Sequence, residues 1–287
     1  MILAVFLALL THVSYALNDF SGALAARKID GKLMVLLSWS IGTFLYSIAA
    51  PFYFRPVFQL APLLATAVLG LLWAIAYPLF MTSAKFGNPT LSGVIAGTFP
   101  LWSVAFSVVA YHDRLTTSQA MIIAIIISGI LLSALHLTKK TKFTNLFNKY
   151  SLLALLVSLM WGIGFGAWKY PIDKMGTFNT MYINNIFATL FTFILFYRPY
   201  KGKLFSKLRS HYKLPSLNAI TGVVGTLAYS SALKLGKVSL IIPIAGSYGG
   251  LYAVLSYLKF KESLTKLQII GLILILTGVV TLAVSIS

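Results

Sequence analysis

Residues 83–87 read SAKFG and residues 232–236 read ALKLG, which sets Lys85 on Lys234 and Gly87 on Gly236. The same offset carries Ala96-Gly97 onto Ala245-Gly246, Ser107 onto Ser256 and Gly129 onto Gly278. It also lays DRLTTSQ (113–119) over ESLTKLQ (262–268), keeping an acid, Leu, Thr and Gln in register. One more residue of offset brings LLTHVSYA (9–16) over LMWGIGFG (159–166). A match sustained over that length is one unit written twice. Both copies carry Thr-x-x-Gln, the pattern in which a Thr side chain accepts from the N–H three residues on while the Gln reaches back. Thr116-Gln119 and Thr265-Gln268 are therefore predicted helix starts, with Asp113 and Glu262 as charges at the favourable end of the dipole.

The medium follows from composition. The chain of 287 residues is 59% hydrophobic and 10% charged, with a mean hydropathy of +0.88; soluble domains carry roughly 25% charge. Apolar runs at 2–24, 33–54, 60–84, 90–111, 118–138, 151–171, 179–197, 214–235, 239–258 and 264–285 are each long enough to cross a bilayer as helix. The prediction is an all-α membrane protein of ten transmembrane helices. Residues 1–138 form the first repeat, 139–150 a basic connecting loop and 151–287 the second repeat. Five crossings per copy is an odd number, so the second copy starts on the opposite face. The two five-helix repeats are expected to be inverted, with a binding site near the midplane between them. The opening stretch has a signal-peptide-like small-residue step at Ser14 and Ala16, but no Lys or Arg precedes it, and it reads as the first span.

The stretch NDFSGALAARK (18–28), the unit AYPLFMTSAKFGNPTLSGVIAG (76–97) with its echo AYSSALKLGKVSLIIPIAG (228–246), and the ending ESLTKLQIIGLILILTGVV (262–280) resemble the EamA-type transporters of the drug/metabolite transporter superfamily. The resemblance covers essentially the whole chain. It implies five plus five inverted helices working by alternating access on a small metabolite. It leaves the solute open among amino acids, amines, sugars and nucleotide derivatives.

The formal charge of +18 falls mainly in connections, chiefly Lys139, Lys140, Lys142 and Lys149, and Arg198, Lys201, Lys203, Lys207, Arg209 and Lys213. In a membrane chain such clusters meet anionic lipid heads rather than nucleic acid. Most of the Lys and Arg lie in the odd-numbered connections, which by the positive-inside rule turns both termini outward. The resemblance implies termini in the cytoplasm, and the charges are preferred here. Cysteine is absent, no nucleophile-base-orienter set, His/Asp/Glu metal cluster or phosphate loop is found in the sequence, and five acids leave almost no material for paired-carboxylate catalysis. The chain is read as no enzyme, with no cofactor and no metal, placed in a multi-pass plasma membrane of the bacterial inner type as a monomer or homodimer.

Asp19 is the one acid placed inside a span, and an intramembrane carboxylate is by default a proton relay or a cation partner. His12 lies two turns away on the same face, with an ordinary titration range that spans neutral pH. These two are the expected proton or cation coupling residues. Lys169, at the place matching Asp19, is expected to reach its own interface rather than pair across the midplane. Trp73, Tyr77, Trp102, Trp161, Tyr229, Tyr248 and Tyr252 fall within spans and are the candidate substrate-binding residues, able to stack on a solute or hold a cation on their faces. Gly93/Gly97, Gly162/Gly166 and Gly246/Gly250 give small-residue strips for close helix approach, and Pro78, Pro100 and Pro243 interrupt helices. The function expected is a proton-coupled secondary transporter of a small organic metabolite. The alternatives are an uncoupled exchanger, or a lipid flippase or receptor on the same scaffold.

Overall fold

A computed structural model describes residues 2–56, 59–87, 89–134, 148–202, 204–260 and 265–286. Among them there is no strand. The first half runs α1 (Ile2–Ala26), α2 (Gly31–Tyr53), α3 (Leu60–Phe86), α4 (Pro89–Ala96), α5 (Phe99–Ala110) and α6 (Thr117–Ala134). The second half runs α7 (Lys149–Ala167), α8 (Lys169–Met175), α9 (Thr177–Phe196), α10 (Leu204–His211), α11 (Lys213–Leu235), α12 (Val238–Gly246), α13 (Gly249–Phe260) and α14 (Lys266–Ile286). Seven helical segments are long and apolar enough to cross a membrane, while Phe99–Ala110 and Thr117–Ser133 are apolar but shorter. Phe6, Val68, Ile194, Leu276 and Val280 stand exposed on the outside, as side chains do when the solvent is lipid rather than water. The chain is a multi-pass helical membrane protein. The predicted loop at 139–150 lies, up to residue 147, outside the described residues, as does Glu262.

Both predicted helix starts are present. Thr116 N–H donates to Gln119 Oε1 at 3.1 Å and Gln119 N–H to Thr116 Oγ1 at 3.2 Å. The second copy repeats this at 2.9 and 3.3 Å through Thr265 and Gln268. Asp113 differs from expectation. Its Oδ2 accepts from the N–H and the hydroxyl of Ser239, at 3.1 and 2.8 Å, so it caps α12 of the other half rather than α6. The long-range partner wins because the first turn of α12 presents donors with no intrahelical acceptor.

Packing is mostly between the halves, and it follows a swap rule. α1 lies along α11 as α3 lies along α7; α2 meets α9; α6 meets α14. In the last pair a Cβ on Gly271 would stand 2.6 Å from Gly129 O, so only glycine lets these backbones touch. The predicted spans 90–111 and 239–258 are each two helices, broken at Gly97-Thr98 and at Ser247-Tyr248. The prolines are not the breakpoints. Pro78 and Pro243 lie inside α3 and α12, and Pro100 lies in the first turn of α5, where its missing N–H costs nothing. The two broken segments meet at the middle of the molecule. Gly246 sits against Phe99 and Pro100, and the Phe99 and Tyr248 rings are 5.9 Å apart.

The halves also differ. Arg198–Tyr200 forms a 3-10 turn leading to α10, and Leu204 and Leu208 of α10 pack on Ile29, Leu33 and Met34 of the first half. Lys207 and Arg209 remain exposed on the other face of α10.

Candidate functional site

A water-accessible cavity of about 90 Å³ lies between the halves. Its lining comes from α1 (Tyr15, Asn18, Asp19), α2 (Ser38, Trp39, Gly42), α3 (Trp73, Tyr77), α9 (Asn185) and α11 (Asn218, Ala219, Gly222, Val223, Thr226). α7 adds Trp161 and Phe165, its cap adds Trp168, and the second helix break adds Tyr248. Both halves contribute to the lining.

The aromatic wall is continuous. Trp73 stands 4.8 Å from Phe165, 5.0 Å from Trp168 and 6.3 Å from Trp161 between ring centroids, and Trp161 is 6.3 Å from Tyr77. Tyr15 closes it, 5.5 Å from Phe165 and 5.7 Å from Tyr248. Polar side chains pin the helices around this wall. Asn18 Nδ2 donates to Asn218 O and Asn218 Nδ2 to Asn18 O, both at 2.6 Å, while Tyr77 hydroxyl donates to Asn18 Oδ1 at 3.1 Å. That clasp joins α1, α11 and α3. Thr43 hydroxyl donates to Asn185 Oδ1 at 2.8 Å and joins α2 to α9.

Asp19 is buried, and its Oδ2 accepts from the Tyr248 hydroxyl at 2.8 Å. α1 thereby holds the second helix break by one of its carboxylate oxygens. His12 holds the same break elsewhere: its Nδ1 lies 3.1 Å from Ser247 Oγ and 3.3 Å from Ile244 O. Asp19 lines the cavity and His12 does not. Lys169 opens α8 and pairs with Asp173 at 2.9 Å, one turn on, rather than with Asp19.

Of the seven aromatic candidates, Trp73, Tyr77, Trp161 and Tyr248 line the cavity. Trp102, Tyr229 and Tyr252 do not. Trp102 packs on Gly162, and Tyr252 on Gly93 beside Phe20. Tyr229 sits behind the wall, with its hydroxyl donating to Phe165 O at 3.0 Å. Tyr15, Trp39, Phe165, Trp168 and the three asparagines were not singled out from sequence; Asn185 and Asn218 inside apolar spans were the available signal.

Lys85 and Lys234 occupy the matching ends of α3 and α11. Lys234 lines an open, charged cleft of about 600 Å³ together with Asp113, Lys169, Asp173 and Lys237. Lys85 lies 5.5 Å from the Phe86 ring.

The EamA-like transporter family profile matches residues 2–135 and again 148–284. An uncharacterized protein of Methanocaldococcus jannaschii is 30% identical over 134 residues, which is 96% of that protein and 47% of this chain. That relative has the length of one repeat. A solved crystal structure superposes with a TM-score of 0.74 over 97% of this chain and 96% of its own, at 17% identity.

Proposed function

The chain belongs to the EamA-like transporter family, and from that premise we propose that it is a secondary transporter moving a small organic metabolite by alternating access across a bacterial-type inner membrane. Ten crossings in two inverted sets of five are part of this reading. It is supported by the swap rule of helix packing and by each of the ten apolar runs lying, in its described residues, over one helix or one broken helix. The observation that carries it is the cavity, which is lined by helices of both halves, so that rocking one half on the other exposes it to one face at a time.

The solute binds against Trp73, Tyr77, Trp161 and Tyr248, and the coupling ion is a proton carried by Asp19. His12 is a positioning residue that ties α1 to the break beside Tyr248. The test is accumulation of metabolite by the purified protein in sealed vesicles under an imposed pH gradient, after a thermal-shift screen has chosen the metabolite. Asp19→Asn is expected to abolish accumulation and to leave exchange at equal pH intact; His12→Gln, which keeps a bonding group, is expected to keep both. Accumulation by Asp19→Asn would make the protein an uncoupled exchanger. Lipid scrambling without solute movement would make it a flippase. Reporter fusions at the two ends fix the orientation, which the loop charges place with both termini outward.

A further inference from the structure

One end of the cavity is shut in layers. At its wall α1, α3 and α11 share a closed ring of four hydrogen bonds: besides the reciprocal pair between Asn18 and Asn218 and the bond from Tyr77 to Asn18, Asn218 Nδ2 donates to the Tyr77 hydroxyl at 2.9 Å. Towards the connection between α1 and α2, Ile29, Leu33, Met34 and Leu37 then pack against Leu204, Leu208 and Leu214. Outermost, the Tyr200 hydroxyl donates to Asp30. Every layer joins the first half to one segment of the second, Tyr200 to Asn218. The opposite end is built otherwise. The repeat carries Asn18 onto Trp168 and Asn218 onto Leu69. At that place α3 and α7 meet through rings, Trp73 to Trp168 at 5.0 Å between centroids, and the Trp168 indole makes no hydrogen bond. The same end holds the open charged cleft of about 600 Å³, whose lining includes Lys169, the residue after Trp168.

Resting on the reading of this cavity as the solute site, we infer that Asn18, Asn218 and Tyr77 are the latch of the end facing the α1–α2 connection, and that without solute the protein keeps this end shut and opens at the cleft end. A hydrogen bond is lost once its partners part by about 1 Å, so the ring holds only while α11 lies on both α1 and α3. In a membrane each such bond between helices shifts an equilibrium by about a factor of three. Four in one ring bias the end shut without sealing it. A buried amide released from its partner needs another, and water entering the opened end supplies one, which makes a polar latch reversible. At the matching place of the cleft end there is no such bond to break. Asn18 directly precedes Asp19, so the latch and the proton carrier move as one piece of α1.

The experiment uses the full chain in sealed vesicles and a membrane-impermeant methanethiosulfonate reagent. The chain has no cysteine, so Val223→Cys sets a single thiol in the cavity wall, and this protein is the parent. A separate sample carrying Lys28→Cys, exposed at the α1–α2 connection, shows which face the reagent meets. The parent is expected to be labelled about tenfold or more faster from the cleft end. Asn218→Leu, which copies the matching residue of the other repeat, and Tyr77→Phe each remove two of the four bonds. Each is expected to raise labelling from the α1–α2 end about tenfold and to leave labelling from the cleft end within about twofold. Equal or faster labelling of the parent from the α1–α2 end overturns the inference. So does no labelling from either end, an unchanged rate from the α1–α2 end in either variant, or an equal rise from both ends, which marks loosened packing alone. Metabolite accumulation is scored apart from this. A latch read by labelling in a protein that moves no metabolite refutes the transporter with the latch standing, and accumulation with unaltered labelling in the variants refutes the latch with the transporter standing.

Discussion

The break between α4 and α5 and the break between α12 and α13 occupy the same place in the two copies, yet they are chemically unlike. Each ties itself to the first helix of the opposite copy through a hydroxyl at the break. In the first copy the tie is neutral, Thr98 Oγ1 to Ser158 Oγ at 2.8 Å, and the following residue is Phe99, packed against the rings of Trp161, Phe165 and Tyr248. In the second copy the hydroxyl is Ser247, its partner is His12, and the following residue is Tyr248, whose hydroxyl reaches Asp19. One break is a packing joint and the other is ionisable. The backbone symmetry supplies two equivalent joints, and side-chain divergence reserves one of them for charge.

The largest expected effect breaks both joints together. A Cβ on Gly246 would lie 2.5 Å from Pro100 Cγ and 2.8 Å from Phe99 Cζ, both parts of rigid rings. Gly246→Val is expected to destabilise the protein by about 1–3 kcal/mol and to abolish transport, read as a lowered thermal midpoint in detergent and as vesicle uptake. Next comes Tyr248→Phe, which gives the second joint the residue of the first. It removes the hydrogen bond to Asp19 and is expected to lower gradient-driven accumulation about tenfold and to lower the thermal midpoint as well, since one hydrogen bond to a charged group is worth about 1.5–3 kcal/mol. An unaltered pH dependence in that variant would erase the distinction between the joints.

The paired ties come third. Ser247→Ala and Thr98→Val each cut one bond between helices, worth about 0.6 kcal/mol on average in a membrane bundle. Their stability losses are expected to add, while only Ser247→Ala changes the pH profile of uptake. The smallest effect concerns the patch where the 3-10 turn before α10 covers the start of α2. Asp30 caps α2 and accepts from the Tyr200 hydroxyl at 2.8 Å. Burial alone would raise its carboxyl, but the Tyr200 hydroxyl, the N–H groups of Lys32 and Leu33 and the charge of Lys85 outweigh it and hold it below the ordinary value. Stability from a depressed carboxylate is present above its unfolded pKa and is lost as pH falls through the folded one. The thermal midpoint should therefore decline as pH drops below about 4, and Tyr200→Phe should decline less.

The repeat was legible from sequence because backbone-limited positions recur: glycines, the small residues beside them and the Thr-x-x-Gln starts. Trp73, Tyr77, Trp161 and Tyr248 were legible as aromatics deep in apolar spans. Trp102, Tyr229 and Tyr252 carry the same signal and instead fill the glycine strips or back the wall, because inward direction is set by the opposite copy rather than by the helix that carries the ring. Trp168 was missed for the converse reason, since near a span end an inward tryptophan looks like an interfacial anchor, whereas Trp39, six residues inside its span, carried the same signal as the residues chosen. His12 and Asp19 share a helical face, but seven residues of rise separate them by about 10 Å. The cavity reaches only one of them.

The cap that Asp113 places on α12 also bears on how the protein is made. Asp113 leaves the ribosome 126 residues before Ser239, so the acceptor exists before the donors it serves. The N-terminal half is inserted first and waits with a carboxylate exposed, and α12 finds its cap ready on emerging. A permuted chain that begins at α7 reverses that order. It makes the two donors of Ser239 early and leaves them without their acceptor until synthesis is nearly complete.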